Sequence, residues 1–245
     1  MQPASSSKQF FRQVVPKIKT YFIITVLSSA LFFALIKVNS YFQLKTIQIK
    51  GDVPNGKIIG LESLKGTSLI LLSEDSLINL INKNTPNIVV EEVIKEYPDK
   101  LVLRLISVDS IVQLPLNVGF AKLAEDGKIL KKTKEKEVGL PVINFYQRFD
   151  YSQLTPGSIL NYKEIITSLS ILKKSQELDL KVKSIDINGL NMIVFNLNGQ
   201  KILLSAEKSR EKQIFELETL ITQFKIKAQD FKVLDLRFDK PTVKF

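Results

Sequence analysis

An uncharged, largely apolar segment near the N-terminus constrains this chain most. It covers residues 20–36, TYFIITVLSSALFFALI, and is bounded by Lys19 and Lys37. A helix of this length, at about 1.5 Å of rise per residue, covers roughly 25 Å of the roughly 30 Å apolar layer of a bilayer. The two lysines can extend to the interfaces and make up the difference. The segment therefore predicts a transmembrane helix, which we place at residues 20–38.

A cleaved signal peptide is the alternative interpretation, because small residues precede Tyr41 in the stretch VNS. The apolar run is longer than the roughly 7–15 residues of a signal peptide, and Lys37 precedes the cleavage position, so a retained anchor is favoured. The tail at residues 1–19 carries four basic residues and no acidic one. The positive-inside rule keeps such a tail in the cytoplasm. We therefore expect a single-pass protein with residues 41–245 outside the membrane.

The composition argues against most kinds of enzyme. The chain has no Cys and no His, which excludes disulfides, thiolate metal sites and every mechanism that needs a thiol or an imidazole. Acidic clusters at 73–76 and 91–96 fit a helix start and the two faces of a strand. The sequence has no glycine-rich phosphate loop or nucleophile elbow. We therefore expect no catalytic residues, no metal site and no cofactor.

The net charge of +10 comes mainly from lysines that are mixed with acidic residues. No basic stripe interleaved with aromatic residues, which is typical of a nucleic-acid groove, is present in the sequence. We therefore predict a lysine-rich surface beside an anionic membrane, and no binding of nucleic acid.

The part of the chain outside the membrane predicts two modules, at residues 42–110 and 111–245. The first begins with the strand pattern FQLKTIQIKG, followed by a helical turn at 57–64 and a helix that Ser73 would cap. Two further strands, joined by a turn at 97–100, complete a β-α-α-β-β order. This order predicts a small α+β domain.

The second module predicts a mostly antiparallel sheet with flanking helices. Its signals are a hairpin at Asp126-Gly127, a helix opened by a capping box of Asn161 and Glu164, and a three-strand meander at 184–205. A last helix with a solvated start, EKSREK, precedes the closing strand. The fold class of the whole chain is therefore α+β.

The closing stretch, VLDLRFDKPTVKF, has the alternating pattern of a half-buried strand. Leu236 and Phe238 would share one face, and Asp235 would take the opposite face. Pro241 interrupts the pattern. No residue follows Phe245, so we expect a strand whose edge is left uncovered and can pair with another chain.

This organisation resembles the FtsQ/DivIB family of cell-division proteins: a short cytoplasmic tail, one span, a polypeptide-transport-associated (POTRA) domain at 42–110 and a C-terminal β domain. Several stretches carry the resemblance: FQLKTIQIKG, LKGTSLILLSEDSLINLI, EYPDKLVLRL, LPVI, EKSREKQIFELETLI and the Asp-Leu-Arg-Phe of residues 235–238, which is similar to a near-terminal Asp-Leu-Arg-aromatic signature. The chain departs from the family at 107–110, where Ser-Val-Asp-Ser replaces the common Glu-Arg-x-Pro.

The resemblance implies a non-enzymatic scaffold of the divisome in the cell (inner) membrane at the division septum. Such a scaffold links early and late division proteins and binds FtsB/DivIC-type and FtsL-type coiled-coil proteins through its terminal strands. The partner-binding residues implied here are Asp235, Arg237, Phe238, Val243 and Phe245.

Two other classes stay open. A POTRA-bearing translocation or outer-membrane assembly component would have repeated POTRA units or a run of membrane strands of about ten residues, and the sequence has neither. An anchored envelope enzyme, for example a serine–lysine hydrolase, would need a convergent pocket that sequence does not reveal.

Overall fold

The computed structural model of the chain describes residues 6–53, 58 and 60–245. The predicted tail at 1–19 and the predicted helical turn at 57–64 therefore lie partly outside the described residues. The fold is α+β, as predicted. It consists of one N-terminal apolar helix, a small mixed sheet of three strands and a mixed sheet of nine strands with helices.

The N-terminal helix α1 (Ser6–Tyr41) contains the predicted span. Its segment Ile24–Tyr41 is long enough and apolar enough to cross a membrane, with a mean hydropathy of 1.5, and none of it is buried inside the protein. In water, an exposed apolar segment of this length is unfavourable. By length and composition, the segment qualifies either as a membrane anchor or as a signal sequence.

The chain divides into two compact units whose segments alternate along the sequence. The first contains the described residues up to Lys50 together with Leu61–Leu77 and Glu92–Arg104. The second contains Ile78–Glu91, Leu105–Phe245 and the described residues from Gly51 to Gly60. The predicted domain boundary near residue 110 stays a prediction.

The small sheet has the strand order β1-β3-β2, and β1 runs parallel to β3 with Thr46 opposite Lys100. Its elements follow the predicted β-α-α-β-β order, with the first helix reduced to a 3-10 turn. They are β1 (Thr46–Lys50), the 3-10 turn (Leu61–Leu64), α2 (Glu74–Asn84), β2 (Ile88–Glu96) and β3 (Lys100–Ser107).

Helix α2 begins directly after Ser73, where the sequence predicts its start, and the Ser73 carbonyl accepts the first helical bond from Leu77 at 3.2 Å. Glu74 and Asp75 lie in its first turn, where negative charge is favourable to the helix dipole. Leu77 and Ile81, one turn apart, are both buried. The amphipathic pattern in the sequence therefore predicted this helix correctly.

The nine-stranded sheet has the order β12-β11-β10-β9-β8-β7-β4-β5-β6. The neighbours β4–β7, β7–β8 and β10–β11 are parallel, and the other neighbours are antiparallel. The strands are β4 (Val112–Pro115), β5 (Phe120–Leu123), β6 (Ile129–Thr133), β7 (Val142–Phe145), β8 (Ser184–Ile187), β9 (Ile193–Asn196), β10 (Lys201–Leu204), β11 (Val233–Asp235) and β12 (Thr242–Lys244).

Two of the parallel pairs follow from the positions of the helices. Helix α3 (Lys163–Glu177) connects β7 to β8, and α4 (Arg210–Ile226) connects β10 to β11. Parallel neighbours need a crossover connection, which a helix provides, whereas tight turns join antiparallel neighbours. The predicted hairpin is one of the latter: Gly127, at φ 83°, lies in the turn between β5 and β6.

The nine-stranded sheet and the helices α3 and α4 share one hydrophobic core. On α3, the predicted apolar face is confirmed, since Ile165, Leu169 and Leu172 are fully buried. On α4, Leu217 and Ile221 are buried, again as predicted. Other central residues of this core are Leu114, Ile143, Ile185, Phe195, Ile202, Leu204 and Leu234.

The predicted capping box of Asn161 and Glu164 is wrong. The residue at the N-cap of α3 is Tyr162, which is extended at φ −95° and makes no side-chain capping bond. The Glu164 carboxylate is buried and accepts a hydrogen bond from the Tyr146 hydroxyl at 3.0 Å. The Glu164 carboxylate therefore bonds to Tyr146 and not to the backbone at the start of α3, as a capping box would require.

Candidate partner-binding edge

Strands β11 and β12 form one end of the nine-stranded sheet. Strand β12 is the outermost strand and pairs only with β11, in an antiparallel register that sets Leu234 opposite Val243 and Asp235 opposite Thr242. The three-residue β12 is thus an edge strand, as the alternation of the closing stretch predicts.

The hydrogen-bonding directions of β11 show which groups of the edge are open. The Leu236 amide donates to the Leu203 carbonyl of β10 at 2.9 Å, and the Lys232 carbonyl accepts from the Lys201 amide of β10 at 2.9 Å, so Leu234 between them bonds towards β10. Backbone groups alternate in direction along a strand, so Asp235 bonds towards its β12 partner Thr242. Val243, one residue further along, then directs both its N–H and its carbonyl away from the sheet. These two groups are the ones that an added strand would bind.

The side chains of this end separate into an inner and an outer set. Leu234 and Leu236 are fully buried, and Val243 is half-buried against the same core. Phe238 is 60% exposed and Phe245 is 52% exposed. Two exposed aromatic residues therefore flank β12 along the chain, Phe238 before it and Phe245 directly after it.

Phe238 does not continue the alternation of Leu234 and Leu236, which the sequence predicted. Strand β11 ends at Asp235, and the chain then bends around the buried Lys208 side chain. The Lys208 ammonium donates to the carbonyls of Leu236 at 2.8 Å and Phe238 at 2.6 Å. This bend turns the Phe238 ring outwards, where it lies 5.2 Å from the Arg237 guanidinium carbon.

Asp235, which the sequence placed on the solvent face, is only 7% exposed. Its carboxylate accepts hydrogen bonds from Arg237 Nη2 at 2.7 Å, from Arg237 Nε at 3.0 Å and from the Arg237 amide at 3.1 Å. Burial by itself raises the pKa of the Asp235 carboxyl. The bonds from Arg237, and the charges of Arg237 and Lys208, outweigh burial and hold this pKa below its usual value.

Asp235 and Arg237 therefore bond to each other, at the start of the turn that carries Phe238. Besides the Phe238 ring, Arg237 also contacts Met192, with Nη1 3.6 Å from the Met192 sulfur. A groove of about 630 Å³ lies beside the exposed ring, and it is lined by Asn191, Met192, Ser205, Glu207, Lys208, Arg237, Phe238 and Asp239.

Phe245 directly follows the edge strand β12. Its ring contacts Phe224 of α4 edge-to-face, with the ring centroids 6.1 Å apart, and the Lys232 ammonium donates to its carbonyl at 3.0 Å. This single aromatic contact orients the ring and leaves about half of its surface open.

Lys208 contacts the chain at this edge, and the sequence did not reveal it. The stretch EKSREK was predicted to be solvated, yet the Lys208 side chain is buried and forms an ion pair with Glu216. The two residues are eight positions apart, a spacing that does not bring side chains together on one helix. No local pattern therefore signals the pair.

The arrangement suits recognition by strand addition. Main-chain groups of an exposed sheet edge supply affinity in this mode, and neighbouring side chains supply specificity. Among the residues that the structure describes, no three His, Cys, Asp or Glu side chains come together as metal ligands would.

Comparisons with known proteins identify no relative, so the function is inferred from the structure and the sequence. No model of a known protein family matches the chain, and no curated protein matches it. The fold and the edge still define a class: an α+β protein with one N-terminal apolar helix and a nine-stranded sheet that ends in an open strand.

Proposed function

We propose that the chain is a non-enzymatic, single-pass membrane scaffold of the bacterial division machinery, of the FtsQ/DivIB type. Its tail is cytoplasmic, α1 is a retained anchor in the cell (inner) membrane, and residues 41–245 are outside the membrane at the division septum. The small sheet is the POTRA domain, and the nine-stranded sheet is the β domain. The order of elements in the small sheet, with β1 beside β3, supports the POTRA assignment.

The observation that carries the proposal is the open strand β12 with Phe238 and Phe245 exposed beside it. A segment of an FtsB/DivIC-type coiled-coil protein, accompanied by an FtsL-type subunit, adds to this strand and extends the sheet. The backbone groups of Val243 begin the new ladder, and the two aromatic rings supply apolar contact area. Asp235 and Arg237 act indirectly, because their ion pair holds the turn that presents Phe238.

The charge and exposure of the edge also fit a binding role. A long, flat and apolar edge strand would aggregate, and short edge strands with charged residues or proline avoid this. Strand β12 has three residues, one of them Lys244, and Pro241 precedes it. Pro241 has no amide to donate, so a partner can pair over only a short stretch, which limits pairing with unrelated chains.

Truncation of Phe238 tests the proposal. Phe238→Ala should weaken capture of the FtsB/DivIC-type and FtsL-type pair by about 2 kcal/mol, or roughly thirtyfold, because a central aromatic contact is removed. The measurement is a titration of the co-expressed partner pair against the full chain in detergent.

The matched control is Phe215→Ala on α4, since Phe215 is 67% exposed and does not lie on β11 or β12. Both variants should keep the wild-type melting curve by circular dichroism. Wild-type affinity in the Phe238→Ala protein, with its fold intact, would refute the proposed binding edge.

A further inference from the structure

The end of α1 is joined directly to a short loop at residues 68–72, with the sequence SLILL. The Leu69 amide donates to the Phe42 carbonyl at 2.8 Å, and Gln43 forms an isolated bridge with Ser68. The Leu69 side chain is fully buried. The loop is thus fixed one residue beyond Tyr41, where the helix ends.

This loop presents apolar side chains to the outside. Leu71 is 79% exposed, and Ile70 beside it is about half exposed. Tyr41 and Tyr97 are also exposed, and the Phe42 ring connects them, with centroid distances of 5.2 Å to Tyr41 and 5.7 Å to Tyr97. We call the four exposed residues, Tyr41, Ile70, Leu71 and Tyr97, the helix-end patch.

Hydrogen bonds fix the backbone of the loop that carries Ile70 and Leu71. The Leu72 amide donates to the Ser68 carbonyl at 3.0 Å, which closes the turn. The Lys95 ammonium donates to the Leu72 carbonyl at 2.6 Å. With Leu69 buried inside, the turn holds Ile70 and Leu71 outwards, although water is an unfavourable environment for both side chains.

We propose that the helix-end patch lies in the interfacial layer of the lipid bilayer that α1 spans, and that it fixes the orientation of the first unit on the membrane surface. The proposal rests on the anchor assigned under the proposed function. Leu71 and Ile70 enter the boundary between headgroups and acyl chains, and the two tyrosines lie at headgroup level. The ligand is the bilayer itself rather than a protein.

The position of the patch next to the predicted span indicates that a bilayer, rather than a protein, covers it. Lys37 marks the outer end of the predicted apolar span, and Tyr41 follows it by about 6 Å along the helix axis. The helix-end patch therefore lies at the depth of the membrane interface. Tyrosines are enriched in this layer, and amphipathic helices bury apolar side chains in it. The patch therefore continues the membrane contact of α1.

The absence of Trp from the chain makes a direct test practical. Leu71→Trp gives the full-length protein a single tryptophan at the exposed tip of the loop. The protein is reconstituted in vesicles whose lipids carry bromine at either a shallow or a deep position of the acyl chain, and bromine quenches tryptophan on contact. We expect blue-shifted emission from Leu71→Trp and a loss of fluorescence that is larger with the shallow bromine.

Two reference proteins separate this inference from the anchor. Phe33→Trp, within the span, should be quenched most by the deep bromine. Ile49→Trp, on β1 of the same unit and exposed, should show the weaker quenching of a site in water. Quenching at Phe33→Trp with none at Leu71→Trp would overturn the patch and keep the anchor.

Three other results would also overturn the proposal. Equal quenching of Leu71→Trp and Ile49→Trp would show that the helix-end patch makes no specific contact with the bilayer. A blue shift at Leu71→Trp without lipid quenching would indicate a protein partner, including a second copy of the chain. Absence of quenching at Phe33→Trp would remove the anchor and the patch together.

Discussion

Asp235 is a carboxylate that the fold encloses and neutralises with a residue two positions away. An isolated buried carboxylate is strongly unfavourable, and hydrogen bonds from the Arg237 side chain and amide offset that penalty. The pair lies at the end of β11, and the turn that presents Phe238 follows directly. In the structure the Asp235 and Arg237 side chains bond to each other, and their part in partner binding stays a prediction.

Asp235→Asn should destabilise the folded chain by about 1.5–3 kcal/mol at pH 7, because Arg237 loses its charged acceptor. The pKa of Asp235 is lower in the folded protein than in the unfolded chain. The stabilisation is therefore complete above the unfolded-state pKa of about 3.9, and it disappears as pH falls through the lower folded-state pKa. The difference between wild type and variant should shrink over that acidic range.

Urea unfolding of the full chain in detergent, followed by circular dichroism at pH 7 and at acidic pH, measures this difference. The control is Asp239→Asn, whose ion pair with Lys212 is largely exposed, so its removal should change stability little. A pH-independent difference for Asp235→Asn would contradict the assigned role of the ion pair.

At the scale of elements, local chemistry determined much of what the sequence predicted correctly. Helix α2 starts after Ser73, and a glycine with positive φ turns the β5–β6 hairpin, because each signal acts within a few residues. The end of β11 was not predictable in this way. The Lys208 ammonium, which bends the chain after β11, lies 28 residues before Leu236 in sequence. The helix crossovers that make β7–β8 and β10–β11 parallel likewise depend on packing between distant segments.

The outward-facing Val243 amide of β12 can be removed by a single substitution. Val243→Pro should leave β12 paired with β11, because the Val243 amide points away from the sheet, and it should remove the outward donor that a partner strand needs. Loss of one hydrogen bond of about 1–1.5 kcal/mol weakens binding of the coiled-coil pair roughly tenfold. The same titration in detergent measures it.

Val243→Ala is the matched control, since it shortens the side chain and keeps the amide. If the proline and alanine variants bind the partner pair with the same affinity, strand addition at Val243 is the wrong mode of recognition.

The whole molecule combines an apolar helix, a small mixed sheet and a large sheet with an open end. In the proposed function, α1 holds the protein at the membrane, the helix-end patch orients the first unit, and β12 captures the coiled-coil partner. Local sequence patterns predicted the apolar N-terminal helix and the α+β class, because hydrophobic length and period are properties of short segments. The order of nine strands was beyond such patterns, since it depends on which distant segments pack together.

Hydrogen exchange at the Val243 amide tests whether β12 binds a partner strand. The full chain is incubated in deuterated buffer with and without the FtsB/DivIC-type and FtsL-type pair, and exchange is followed in peptides that contain Val243. In the free protein this amide has no ladder partner and should exchange fast, whereas an added strand should protect it strongly. Protection at Val243 in the complex is the result we predict. Unchanged fast exchange at Val243, under conditions where the pair is bound, would contradict the proposal that β12 captures a partner strand.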